Sequence, residues 1–292
     1  MTEHNHNARA EALIEALPFI QRYRGQLVVI KYGGSAMDDD HLIERLLRDV
    51  IFLEAVGINP VLIHGGGNMI SDQMRAAGLR AKFVNGLRVT DEKAMRIVEE
   101  ILDGKVNPHI VAKLNEFGGK AIGISGTRIF LGQKLPPQAD GKKAPVDLGF
   151  VGEVIDLHVS EVERAIADEI LPVISPIAQD GKGASLNVNA DLAAGAVASR
   201  LKAAKLIFLS DVPGIMRDPK EKDSLIPSMN RRMIEKLVEE EVIHGGMLPK
   251  VRASLNALEN GVGKVHLIDG RIQHSLLLEI FTNLGVGTEI VP

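Results

Sequence analysis

The chain has no cysteine and no tryptophan, and only 3% of its 292 residues are aromatic. Without cysteine there can be no disulfide framework, no thiolate nucleophile and no thiolate-bound metal, a composition that fits a reducing compartment. No apolar run reaches the roughly 18 residues that a membrane-spanning helix needs. Residues 1–12 carry acids, asparagines and histidines where a secretory leader would begin basic and turn apolar. Export and membrane insertion are therefore not expected, and a cytoplasmic location is. An excess of one charge is missing too: 34 basic against 38 acidic residues leave a net charge of −4. That gives no electrostatic footprint for nucleic acid or for an anionic membrane surface. There is no internal repeat with a period of about 20 to 50 residues and no low-complexity segment.

What is present is 45% apolar and 25% charged residues, ordinary for a globular chain long enough for one large or two ordinary domains. Apolar runs at 27–32 and 60–63 alternate with helical patterns at 38–55, stopped by Gly57, and 68–77, stopped by Gly78. Such alternation predicts an α/β fold, a three-layer αβα sandwich around a mostly parallel sheet. The middle is less regular. It predicts a helix at 91–102, a strand at 120–124, an exposed hairpin or loop at 136–152, and strands at 154–156 and 171–174 around a helix at 159–169. The polar stretch Gln179-Asp180-Gly181-Lys182-Gly183 sets the expected boundary between two lobes, 26–178 and 179–292. Beyond it come helices at 190–201, 228–240, 250–259 and 275–281 and strands at 205–209 and 264–268. Ahead of the first strand, Ala10, Leu13, Ile14 and Leu17 share one helical face, and Pro18 interrupts before Phe19, Ile20 and Tyr23. The segment 1–25 thus predicts a kinked amphipathic helix that either lies on the domain or packs against another copy.

Two strand-to-glycine turns suggest phosphate handling. Lys31-Tyr32-Gly33-Gly34 ends the first apolar run and His64-Gly65-Gly66-Gly67 ends the second. Glycines there let backbone N–H groups approach an anion, and a helix beginning at the turn adds the positive end of its dipole. There is no G-x-x-x-x-G-K-[ST], so this is not a P-loop, and neither cluster continues as a dinucleotide fingerprint. No second histidine lies at ligand spacing from His64, so no metal site is expected. Arg88 follows the Asn85-Gly86 turn, where a guanidinium could grip a carboxylate with two parallel hydrogen bonds. Asn187 and Asn189 fall on one side of an extended segment, and Asp191 is either a helix-start residue or part of a site. Ser210, Asp211, Val212 and Gly214 end another strand at a carboxyl edge. Lys250 sits just inside a helix start, where a cation is disfavoured and an anion would resolve the conflict.

Six ordered motifs, K-Y-G-G, H-G-G-G, N-G-L-R-V-T, L-N-V-N-A-D, L-S-D-V-P-G-I and G-G-M-L-P-K, span nearly the whole chain. Together they resemble the amino-acid kinase family, and within it the branch that phosphorylates N-acetyl-L-glutamate. Ser35, where asparagine is more usual, is a minor departure. The resemblance implies transfer of the ATP γ-phosphoryl group to the side-chain carboxylate of N-acetyl-L-glutamate, with Mg²⁺ carried on the phosphates and no tightly bound cofactor. It implies that Lys31 and Lys250 stabilise the moving phosphoryl group while Asp191 holds both ammonium groups. Gly33, Gly34, Ser210, Asp211, Val212 and Gly214 would border the nucleotide, and Gly66, Gly67, Arg88, Asn187 and Asn189 the acceptor. Arginine-inhibited members carry a comparable N-terminal helix that interlaces dimers into a hexamer. The resemblance therefore implies inhibition by L-arginine near Tyr23, Lys202, His274, Glu279, Gly285 and Gly287. Some relatives also dock a PII-type signalling protein. Two alternatives stay open: another member of the same family, and a nucleotide-binding regulator that has lost catalysis, against which Lys31, Asp191 and Lys250 argue together.

Overall fold

The computed structural model describes all residues except 1, 2, 35, 36, 38, 141, 142, 219 and 284, with the side chains of 3–9, 140, 143 and 222 also outside the description. Ser35 is among the residues not described. Helix α1 (Glu3–Tyr23) leads to β1 (Leu27–Tyr32), α2 (Asp40–Ala55), β2 (Asn59–His64) and α3 (Gly67–Ala76). Two short strands, β3 (Phe83–Val84) and β4 (Leu87–Arg88), precede α4 (Glu92–Ile101), a π-helical turn (Leu102–Val106) and α5 (Asn107–Glu116). Strands β5 (Ala121–Ile124), β6 (Phe130–Lys134), β7 (Gln138–Asp140), β8 (Lys143–Val146) and β9 (Val151–Leu157) come next. Then come α6 (Ser160–Ala167), β10 (Leu171–Ile174), β11 (Ile177–Gln179), β12 (Ser185–Val188), α7 (Ala190–Leu201) and β13 (Lys205–Ser210). The chain ends with β14 (Ser228–Met229), α8 (Arg231–Glu239), α9 (Met247–Glu259), β15 (Lys264–Asp269), α10 (Ser275–Phe281) and β16 (Gly287–Ile290).

One eight-stranded sheet runs in the order β14-β16-β15-β13-β1-β2-β10-β5, parallel throughout except where β15 meets β16. Its inner strands β1, β2, β10 and β13 are buried along nearly their whole length because both faces are covered. Alternation within each strand divides the residues between two cores. Val28, Ile30 and Tyr32 of β1, Leu62 of β2 and Ile207 of β13 face the layer of α2, α4, α5 and α10. Val29, Val61, Ile63, Leu206 and Phe208 face the layer of α7, α8 and α9. The three-layer sandwich follows from this period of two. It also fixes the side of Lys31, which continues the Val29 row and so emerges under α7 and α9.

One expectation is corrected in detail. The 228–240 segment is a strand and a helix, because Asn230 caps α8 through its side chain on the Met233 amide and leaves Ser228 and Met229 to pair with β16. Pro18 lies inside one helix, Glu3–Tyr23. The carbonyl it deprives of a donor belongs to Ile14, whose residue is 68% exposed and can be solvated. The expected lobe boundary at residue 179 falls at the end of β11, which pairs antiparallel with β12 across it. These two strands close with β9 and β6 into a small four-stranded barrel, so residues 177–188 form one unit.

Candidate active site

The three glycine-bearing turns sit at the carboxyl ends of adjacent strands, because β13, β1 and β2 are neighbours in that order. The chain leaves β1 toward β2 on one side and returns to β13 on the other, so the crevice between them is a topological switch point, the usual ligand edge of an open α/β sheet.

Lys31, Asp191 and Lys250 meet there. Lys31 Nζ lies 3.0 Å from Asp191 Oδ1 and Lys250 Nζ 3.0 Å from Oδ2, so one carboxylate holds two ammonium groups. Asp191 is 5% exposed. Burial alone would raise its pKa, but Lys31 and Lys250 outweigh burial and hold it below the usual carboxylate range. The local sequence explains the placement. Asn189, not Asp191, caps α7, accepting from the Asp191 and Leu192 amides, which leaves the Asp191 side chain to the lysines. Lys250 lies in the first turn of α9, where the dipole opposes a cation, and the anion that resolves the conflict is Asp191. Lys31 folds back over Gly33, where a β-carbon would sit 2.5 Å from Nζ.

This triad stands between two cavities. The first, about 230 Å³, is lined by Lys31, Gly34, the triple glycine, Arg88, Asn187, Asn189 and Asp191, with Ile70, Phe83, Leu87, Leu102 and Val151 as apolar wall. The second, about 420 Å³, is lined by the 210–216 turn, by Val242, Ile243 and His244, and by Lys250. Arg88 is buried; Nη2 donates to the Gly67 carbonyl (2.7 Å) and to Ser71 Oγ (2.9 Å), and its guanidinium lies 4.7 Å from the centre of the Phe83 ring. Nη1 lies 3.5 Å from Met74 Sδ, a weak acceptor, and the side chain lines the first cavity. Asn187 Nδ2 donates to Thr90 Oγ1, which donates to the Arg88 carbonyl, so the amide and the arginine are positioned as one unit. Gly34 packs beside the Asp211 carboxylate, joining the first turn to the second cavity. Gly214 takes φ +147, and a β-carbon there would meet Thr288 Oγ1 at 2.6 Å, so its glycine serves the turn itself.

Among the expected regulatory residues, the structure links Tyr23 to Glu279 through groups the sequence did not single out. Lys205 Nζ lies 5.1 Å from the Tyr23 ring centre and 3.2 Å from His266 Nε2, and His266 Nδ1 is 2.6 Å from Glu279. Glu279 accepts from the Val286 amide, between Gly285 and Gly287. Burial lowers the Lys205 pKa to about 8 against the pull of Glu279. Lys202 instead donates to the Asn260 carbonyl, and His274 pairs with Asp49. The lysine that lies between Tyr23 and the His266–Glu279 pair is thus Lys205. Ile70, Phe83, Ser71, Thr90 and Leu102 were also not singled out, since isolated apolar and hydroxyl side chains carry no local signal of a ligand. Among the described residues no cluster of three histidines or carboxylates could hold a metal.

The amino acid kinase family model matches residues 26–269. The chain is 49% identical to the acetylglutamate kinase of Akkermansia muciniphila over 97% of its own length and 95% of that protein. It is 46% identical to the acetylglutamate kinase of Aquifex aeolicus over 97% of each. The N-acetylglutamate synthase of Neisseria gonorrhoeae, solved with coenzyme A and N-acetyl-glutamate, superposes with a TM-score of 0.85 at 25% identity, over 97% of this chain and 63% of that longer one. Carbamate kinase from Giardia lamblia shares the fold, with a TM-score of 0.65 at 18% identity. With a match through both cavities and identity near one half along the full chain, the protein belongs to the amino acid kinase family, among its acetylglutamate kinases.

Proposed function

We propose that the protein transfers the γ-phosphoryl group of ATP to the side-chain carboxylate of N-acetyl-L-glutamate, giving the acyl phosphate and ADP, the second step of arginine biosynthesis. The observation that carries this reading is the single buried carboxylate, Asp191, holding Lys31 and Lys250 at the junction of two cavities. A side-chain carboxylate has an ordinary pKa near 4.3 and is ionised at neutral pH, so the reaction needs no general base. Its barrier is the approach of an anion to a triphosphate, and fixed positive charge around a loose, in-line transition state answers it. ATP occupies the cavity of the 210–216 turn and the acceptor the cavity of Arg88. The phosphoryl group passes between the two ammonium groups, and Gly34, Gly66 and Gly67 offer backbone N–H donors. The acceptor's α-carboxylate binds the Arg88 guanidinium, assisted by Asn187 and Asn189.

Both Asp191 oxygens are taken by lysines, so that carboxylate is not available to Mg²⁺. The ion is carried on the nucleotide phosphates, as suits an ion that keeps much of its own hydration. Hydroxylamine trapping tests the acceptor. Hydroxamate forms with N-acetyl-L-glutamate and not with aspartate, glutamate or carbamate; product with another acceptor alone would reassign the enzyme within its family.

The regulatory reading belongs to the same proposal. On α1, Leu13, Ile14 and Leu17 are 65%, 68% and 44% exposed, while Phe19 and Ile20 pack on the domain. A second copy covering that stripe would build a hexamer, a trimer of dimers, and L-arginine would bind where Tyr23, Lys205, Glu279, Gly285 and Gly287 converge. The ring would offer the surface on which a PII-type protein docks in some relatives. Elution as a dimer with hyperbolic kinetics untouched by millimolar arginine would remove this part and leave the kinase.

A further inference from the structure

The triple glycine is oriented from behind by a buried hydrogen-bond chain that the reaction itself does not use. His64 is fully buried, the last residue of β2. Its Nδ1 lies 2.8 Å from the carbonyl oxygen of Gly65, and its Nε2 lies 3.1 Å from Asn107 Nδ2. Asn107 Nδ2 also lies 2.9 Å from the Val173 carbonyl of β10. A main-chain carbonyl only accepts, so it fixes which end of the Asn107 amide carries hydrogen. One amide hydrogen then goes to Val173 and the other to His64 Nε2, which must be an acceptor. The ring proton is left on Nδ1, donating to Gly65. Every link has one donor and one acceptor, and the direction is set by Val173.

We propose that His64 and Asn107 form a positioning pair for phosphoryl transfer: they pin the Gly65–Gly66 peptide so that the Gly66 N–H is presented to the transferring phosphoryl group. In a trans peptide the C=O and the following N–H point in opposite directions, and the chain has no cis bond among the described residues. Holding the Gly65 oxygen toward His64 therefore aims the Gly66 N–H away from it, toward the cavity that the triple glycine lines. Leu102 packs against Gly66 itself, its Cδ2 2.7 Å from where a β-carbon there would sit. Leu102 opens the π-helical turn and Asn107 comes directly after it, so one wide turn supplies both supports. One residue inserted into a helix rotates the next turn by about 100°, which brings Asn107 round to His64. Gly123 of β5 completes the arrangement, since a side chain there would strike the Asn107 amide. Burial keeps the ring uncharged, lowering the His64 pKa to about 4, as the single-proton chain requires.

This inference rests on the kinase reading, and its first test does not. In the ¹⁵N spectrum of the full-length protein labelled at histidine, assigned with His64→Asn, His64 shows the tautomer protonated at Nδ1. An Nε2-protonated or doubly protonated ring at pH 7.5 would overturn the chain. In the second test, His64→Leu lowers kcat about ten- to hundredfold, since a single oxyanion donor contributes about a hundredfold or more, with KM for both substrates within about threefold. His64→Asn, whose amide can still donate to Gly65, recovers a substantial part of that loss. Equal kcat in the two variants, or a loss that appears only in KM, would overturn the positioning role. If His64→Leu does not fold, the tautomer decides. Absence of acyl phosphate from the unmodified enzyme would remove the kinase reading and leave the tautomer standing.

Discussion

Gly195 of α7 meets Ala253 of α9 at a crossing so close that a β-carbon on the glycine would lie 3.1 Å from the alanine methyl. Gly195 is four residues beyond Asp191 and Ala253 three beyond Lys250, so the contact lies one turn from the ion pair on both helices. The small-residue crossing thus sets the distance at which the Asp191 carboxylate receives Lys250.

Enlarging that contact parts the helices. Gly195→Val is expected to cost about 1 to 3 kcal/mol of stability by overpacking and to reduce kcat more than either KM. Urea unfolding and steady-state kinetics on one preparation check both. Full kcat with the stability loss alone would show that the crossing does not set the site.

The first turn makes a comparable prediction. Because the Lys31 ammonium lies 2.5 Å from where a β-carbon on Gly33 would sit, Gly33→Ala is expected to push it out of its present position against Asp191. The expected result is a fall in kcat with acceptor KM nearly unchanged, the pattern of an interaction made in the transition state. A change confined to KM would assign Lys31 to ground-state binding.

Arg88 is predicted to act the other way. Replacing it with alanine removes charged hydrogen bonds worth roughly 1.5 to 3 kcal/mol, so KM for acetylglutamate should rise about ten- to hundredfold. An unchanged KM would reject the clamp. The loss of its bonds to Gly67 and Ser71 predicts some decline in melting temperature as well.

His64 gives the pH dependence a definite sign. Burial lowers its pKa from 6.5 to about 4, so between those values the unfolded chain binds a proton that the folded chain refuses. Stability therefore rises with pH across that window, by about 1.4 kcal/mol per unit from this group. It is unaffected by His64 above about 6.5, where both states are neutral. Urea midpoints from about pH 4.5 to 7.5 should show a shallower slope in His64→Asn; identical slopes would contradict the burial of an uncharged ring.

The sandwich was legible because strands buried on both faces are continuous apolar runs and their glycine turns are punctuation. Lys31, Asp191 and Lys250 were legible only jointly, through ordered motifs, since nothing local brings residues so far apart in sequence to one point. What was missed has physical reasons. Strands β6 and β11 are short and close a small barrel with β9 and β12, so neither shows a long apolar run. The π-helical turn adds a residue without breaking the helix and leaves no punctuation. Lys205, on the strand, lies next to the His266–Glu279 pair, while Lys202, left-handed at the end of α7, turns to Asn260. Side-chain aim of this kind is set by packing between elements, which periodicity does not report.

The central claim is that two ammonium groups held by one carboxylate flank the phosphoryl group as it moves between two anions. It is tested most directly by a crystal structure with ADP, aluminium fluoride, Mg²⁺ and N-acetyl-L-glutamate. The account predicts Lys31 Nζ and Lys250 Nζ each within hydrogen-bonding distance, about 3 Å, of the fluoride plane or its apical oxygens, with Asp191 still between them. Both ligands seated with either ammonium group turned away from the phosphoryl mimic would contradict it.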